Sequence, residues 1–103
     1  MSIFSIFGGT KKSEKVAVLL EKGALIIDVR RPAEYAGGHI TESVNIPLDL
    51  IPGKVNELKR KNKAMITCCR SGARSGMAAG QLRNAGIEVE NGGPWNSVKK
   101  MMG

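Results

Sequence analysis

The chain is expected to fold as an α/β protein, with a small, mostly parallel sheet and helices on both faces. Short apolar runs of strand length recur at residues 25–29, 44–46, 64–68 and 87–89. Stretches with helical spacing lie between them, and Gly or Pro marks most of the changeovers. Strands that alternate with helices at this interval need crossover connections, which favour parallel pairing and cover both faces of the sheet. A length of 103 residues suits one domain, and 42% apolar residues is ordinary for a globular one. We place that domain at residues 13–103, behind a loosely attached tail at 1–12.

In the tail, Ile3, Phe4, Ile6 and Phe7 are expected to pack on the domain as a short strand or helix. Ser13 is the expected N-cap of a first helix that turns Val16, Leu19 and Leu20 inward, with Gly23 just past its end. The first strand ends near Asp28. Pro32 opens a short polar helix through Tyr35, which Gly37 and Gly38 close. Pro47 stops the strand at 44–46, and residues 53–61 read as a helix with Val55 and Leu58 inward. The strand at 64–68 precedes a helix at 74–85 capped by Gly86. A last strand at 87–89 leads through an Asn91-Gly92-Gly93 turn to a helix at 95–102. In open α/β sheets, sites form beyond the carboxyl ends of the strands. Asp28, Cys69 and the Asn91-Gly92-Gly93 turn are thereby expected along one edge.

The stretch from Cys68 to Gly76 concentrates the chemistry. Cys69 stands between the end of a strand and the start of a helix, where backbone N–H groups converge and the helix dipole is positive. Gly72 lets the loop turn tightly, so the N–H groups of Arg70, Ser71, Gly72, Ala73, Arg74 and Ser75 can form an anion-binding nest. Arg70 and Arg74 add positive charge, which favours the thiolate. Gly76 and Gly80 are expected to bring the following helix close to the sheet. Buried cysteines are ordinarily inert packing residues. Two arginines, a glycine turn and a helix start make Cys69 a candidate nucleophile instead.

The chain resembles the rhodanese (thiosulfate sulfurtransferase) family in its single-domain form. Matching stretches, in family order, are Leu25-Ile26-Ile27-Asp28-Val29-Arg30, Glu34-Tyr35-Ala36-Gly37-Gly38-His39-Ile40, Asn45-Ile46-Pro47-Leu48, Cys69-Arg70-Ser71-Gly72-Ala73-Arg74-Ser75 and Gly92-Gly93-Pro94-Trp95. The resemblance spans residues 13–100 and implies a rhodanese-like fold. It also implies that Cys69 takes sulfane sulfur from a small anionic donor such as thiosulfate, holds it as a persulfide, and passes it to cyanide or a thiol, protein thiols included. Such chemistry needs a thiolate and an anion cradle but no general base, metal or cofactor once the thiolate has formed. His39 then serves to fix its turn. Asp28 and Arg30 are expected to pair at the strand end as supporting residues, and Trp95 to pack the last helix and wall the site.

The chain departs from the family pattern in three places. Thr41-Glu42-Ser43 replaces the usual Pro-Gly turn, the strand that usually precedes the first helix is not evident, and Cys68 precedes the reactive cysteine. Counted from Cys68, the loop spells cysteine, five residues and Arg74, the spacing of cysteine-dependent phosphatases. That alternative has no evident acid for the leaving group. A sulfur-carrier or docking module is the other alternative. Strand alternation turns Cys68 away from Cys69, so Cys68 is expected to be a packing residue.

Composition narrows the setting. No apolar run approaches the ~18 residues of a membrane span, and the N-terminus lacks a signal-peptide pattern. Adjacent cysteines cannot readily bridge each other, which fits a reducing compartment, and a cytoplasmic location is expected. A net charge of +7 favours anionic partners. The densest run, Lys59-Arg60-Lys61-Asn62-Lys63, has no interleaved aromatic residue to stack bases. It reads as a solvated helix end, and no nucleic-acid partner is expected.

Overall fold

A computed structural model describes residues 11–103. The tail residues Ile3, Phe4, Ile6 and Phe7 lie outside the described residues. In chain order the elements are α1 (Lys12–Glu21), β1 (Leu25–Asp28), α2 (Pro32–Ala36), β2 (Val44–Asn45), a 3-10 turn (Leu48–Leu50), α3 (Ile51–Arg60), β3 (Met65–Cys69), α4 (Ala73–Asn84), β4 (Val89–Pro94) and α5 (Trp95–Met101). The strands form one sheet in the order β2-β1-β3-β4, and every pairing is parallel.

Alternation along the strands sorts the core into two layers. Ile27, Met65 and Cys69 join Ile51, Leu58, Ala78, Ala79 and Leu82 beneath α3 and α4. Ile26, Ile66 and Cys68 join Val16, Leu19 and Val98 beneath α1 and α5. β3 is buried at every position, as the central strand of a sheet covered on both faces must be.

Several boundaries differ from the sequence reading. α1 starts at Lys12 because Glu14 Oε1 accepts the Lys11 N–H at 3.1 Å; Ser13 lies inside the helix and is not its cap. α3 starts at Ile51, two residues early, with Pro52 in its first turn, where a missing N–H costs nothing. β4 begins at Val89 and runs through Pro94. Asn91, Gly92 and Gly93 are thus strand residues and not a turn. Gly92 is needed there for close approach. A Cβ on it would meet Val98 Cγ2 at 2.6 Å and Ile66 Cγ2 at 2.9 Å. The helix-packing role expected of Gly80 is absent, since a Cβ there would meet nothing within 4 Å. At Gly76 a Cβ would lie 3.1 Å from Asn91 Nδ2.

The register sets the functional edge. Asp28 pairs with Cys68, Thr67 with Asn91, and Cys69 with Pro94. The register shifts between Thr67 and Cys69, so the ladder is irregular where the loop begins. The basic run at 59–63 is exposed around the C-terminal end of α3.

Candidate active site

Cys69 is the last residue of β3, and residues 70–72 carry the chain into α4. Gly72 takes φ +102°, a left-handed conformation that L side chains rarely adopt, so the turn depends on glycine. The loop closes on the sulfur. The Gly72 N–H donates to Cys69 Sγ at 3.0 Å and the Ser75 N–H at 3.4 Å. Ser75 Oγ lies 3.2 Å from the same sulfur. Cys69 has no exposed surface.

Burial pushes the Cys69 thiol up, but the Ser75 hydroxyl and the N–H groups of Ser75, Gly72 and Ser71 outweigh it. The net shift is down from an ordinary cysteine. The cause differs in part from the one expected. Arg74 is turned to Glu34, with Nη1–Oε1 at 2.7 Å and Nη2–Oε2 at 3.1 Å. Arg70 is exposed and forms no ion pair among the described residues. Backbone dipoles therefore lead in stabilising the thiolate, ahead of guanidinium charge, and the Ser75 hydroxyl joins them when its one proton turns from Asn91 Oδ1 to the sulfur.

Two residues outside the expected set complete the loop. Asn91 accepts from Ser75 Oγ at 2.7 Å and from the Gly93 N–H at 2.9 Å, and its Nδ2 donates to Gly72 O at 3.1 Å. It thus ties β4 to both sides of the sulfur cradle. Glu34, from α2, holds Arg74. Arg74 and the Arg31 N–H hold its carboxyl well below the ordinary range, at about 2. Nothing local in the sequence links Glu34 to a residue forty positions on. The Asn-Gly-Gly run marked a special backbone but not this side chain's reach.

Asp28 and Arg30 pair at the strand end. Asp28 is fully buried, and Arg30 Nη2 lies 2.8 Å from Asp28 Oδ2. Arg30 also donates to Glu34 O and to Gly38 O, at 3.3 and 2.7 Å. The pair braces the loop from α2 to Gly38. Its guanidinium lies 4.9 Å from the Trp95 ring centroid. His39 fixes its turn through Nδ1 to Tyr35 O, 2.6 Å, and stacks on the Tyr35 ring.

Cys68 faces the other layer, among Val16, Ile26 and Ile66. Burial, with the nearby Asp28 carboxylate, pushes its thiol up to about 12. The phosphatase spacing counted from Cys68 thus begins at a side chain packed in the layer opposite Cys69. Both cysteines are free thiols.

Two depressions flank the loop. One, of about 660 Å³, is lined by Pro32, Leu48, Leu50, Arg74 and Gln81. The other, of about 370 Å³, is lined by Arg30, Glu34, Gly38, Arg70, Trp95 and Asn96. Trp95 thus walls one side of the edge. No cluster of potential metal ligands occurs among the described residues. No helix among them is long and apolar enough to cross a membrane.

The carboxyl edge of a parallel α/β sheet thus surrounds one cysteine sulfur with N–H donors that favour its ionised form. The family model for the rhodanese-like domain matches residues 12–93, and the chain belongs to that family. It is 44% identical over 69 residues to the Bacillus subtilis protein YqhL, covering 66% of this chain and 54% of that protein. It is 40% identical over 62 residues to a sulfurtransferase of Allochromatium vinosum, covering 60% of this chain and 57% of that protein. The chain spans roughly half the length of these relatives. Among solved structures it is similar to "rhodanese with anions from E. coli", at a TM-score of 0.65 and 32% identity, over 72% of this chain and 89% of that one.

Proposed function

We propose that the domain transfers sulfane sulfur through a persulfide on Cys69. The observation that carries this reading is the enclosure of one sulfur by the Gly72 and Ser75 N–H groups and the Ser75 hydroxyl. The same donors that hold a thiolate suit the anionic outer sulfur of a persulfide. The relatives named for sulfur transfer support the reading.

With thiosulfate as donor, the Cys69 thiolate attacks the outer sulfur. A new S–S bond forms, the bond within thiosulfate breaks, and its electron pair leaves with sulfite. The enzyme then carries Cys69–S–S⁻. Cyanide attacks the terminal sulfur and leaves as thiocyanate, restoring the thiolate; an acceptor thiolate gives its own persulfide in the same way. No proton has to move if the thiolate is present at the start. Arg70, Ser71, Gly72, Ala73, Arg74 and Ser75 form the donor's cradle, while Asp28 at the end of β1 and Arg30 just beyond it are its supporting residues.

The acceptor class favoured is a thiol, including one carried by a protein. A putative sulfur carrier protein of Bacillus subtilis, 40% identical over 63 residues, supports that choice. Thiosulfate-to-cyanide transfer tests the reading. Cys69→Ser is expected to abolish thiocyanate release and Cys68→Ala to retain most of it. The reverse pattern would place the chemistry on the wrong cysteine.

A further inference from the structure

The resting structure encloses the sulfur that a donor must reach. Cys69 is fully buried and lines neither depression beside the loop. Arg74 lines one depression and Glu34 the other, so their ion pair stands between the two. Both side chains remain about one-third exposed, at 33% and 30%, within reach of a solute. The bond is bidentate, which fixes the guanidinium plane and fills the fork that would otherwise grip an oxyanion.

We infer that Glu34 is a positioning residue that sets the site's preference between anionic and neutral reagents, by occupying Arg74 until an anionic donor displaces it. The inference rests on the reading of Cys69 as the reactive thiol. An oxyanion arriving at the loop offers Arg74 the same fork geometry as the carboxylate. Exchange of one partner for the other leaves Arg74 paired throughout and cuts the loop's tie to α2, because Glu34 and Arg74 are the residues that bond across that gap. A neutral reagent makes no ion pair with Arg74, so freeing the guanidinium gains it nothing. Arg70 adds charge at the mouth without this restraint, since it has no ionic partner among the described residues.

The test is alkylation of Cys69 by iodoacetate, an anion, and by iodoacetamide, its neutral analogue, in a Cys68→Ala background. The readout is the ratio of the two second-order rates. Glu34→Gln keeps an acceptor for the Arg31 N–H and so preserves the start of α2. It is expected to raise the iodoacetate-to-iodoacetamide ratio about two- to fivefold, the scale of a partly exposed ion pair. Arg74→Gln is expected to lower the ratio below that of the parent. Glu34→Gln added to Arg74→Gln is expected to change nothing further, because the carboxylate acts through the guanidinium. A loop merely loosened by the substitution would speed both reagents equally, and an unchanged ratio overturns the inference. So does an equal rise in the ratio with Arg74 absent. The ratio is read without any sulfur donor. Failure of thiosulfate to load the protein would therefore sink the proposed function while leaving this result to stand or fall on its own.

Discussion

At the residue scale, the two adjacent cysteines show how far one step along a strand changes chemistry. Cys69 sits among donors that lower its thiol, and Cys68 lies under the opposite face, where burial raises its own to about 12. Ser75 distinguishes the two environments most sharply, since its hydroxyl touches the Cys69 sulfur and its N–H points at it. Replacement of Ser75 by Ala keeps the N–H and removes the hydroxyl. The pH midpoint for Cys69 alkylation by iodoacetamide is then expected to move up, toward that of a free cysteine. Arg70→Ala is expected to move it less. A lowered thiol is reactive from its midpoint upward, so raising that midpoint costs reactivity at neutral pH and little at alkaline pH. A larger shift from Arg70→Ala would restore guanidinium charge as the main cause.

At the element scale, the site depends on how β1, β3 and β4 end and on what braces those ends. The Asp28–Arg30 pair ties the end of β1 to the α2 loop while fully or nearly buried. Asp28→Ala would leave a buried guanidinium without its counter-ion. The expected loss of stability is about 3–5 kcal/mol, measured by urea denaturation. A loss below ~1 kcal/mol, typical of exposed pairs, would mean that water reaches Arg30. Gly72 makes a second element-scale prediction. Ala at φ +102° is strained, and its Cβ would touch Gly93 Cα at 3.4 Å. Gly72→Ala is expected to cost at least ~1 kcal/mol and to slow Cys69 alkylation together. An unchanged melting temperature would show that the loop has another accessible shape.

Much of this scaffold could be read from spacing. Apolar runs and glycines located the strands and helices, because burial and left-handed turns leave marks at fixed positions. Boundaries were lost where the deciding partner was a side chain elsewhere. Glu14 moved the start of α1, and pairing with β3 carries β4 through Asn91 to Pro94, where a turn was expected. In the site, the loop itself was legible because it is contiguous. The ties from Glu34 and Asn91 were not, since each closes between elements far apart in the chain. The arginines were over-weighted for the same reason, as Arg74 has a partner that local sequence does not reveal.

At the scale of the whole molecule, a sheet of four parallel strands packs Cys68 into one core layer and turns Cys69, equally buried, to the Gly72 and Ser75 N–H groups at its carboxyl edge. The net charge of +7 favours anionic partners for the molecule as a whole. In the proposed cycle, sulfur is carried on Cys69. Intact-mass spectrometry after incubation with thiosulfate tests it most directly. The expected result is a gain of one sulfur atom, reversed by a thiol reductant, retained in Cys68→Ala and absent in Cys69→Ser. No adduct on the parent protein, or an adduct that survives Cys69→Ser and vanishes in Cys68→Ala, would contradict it.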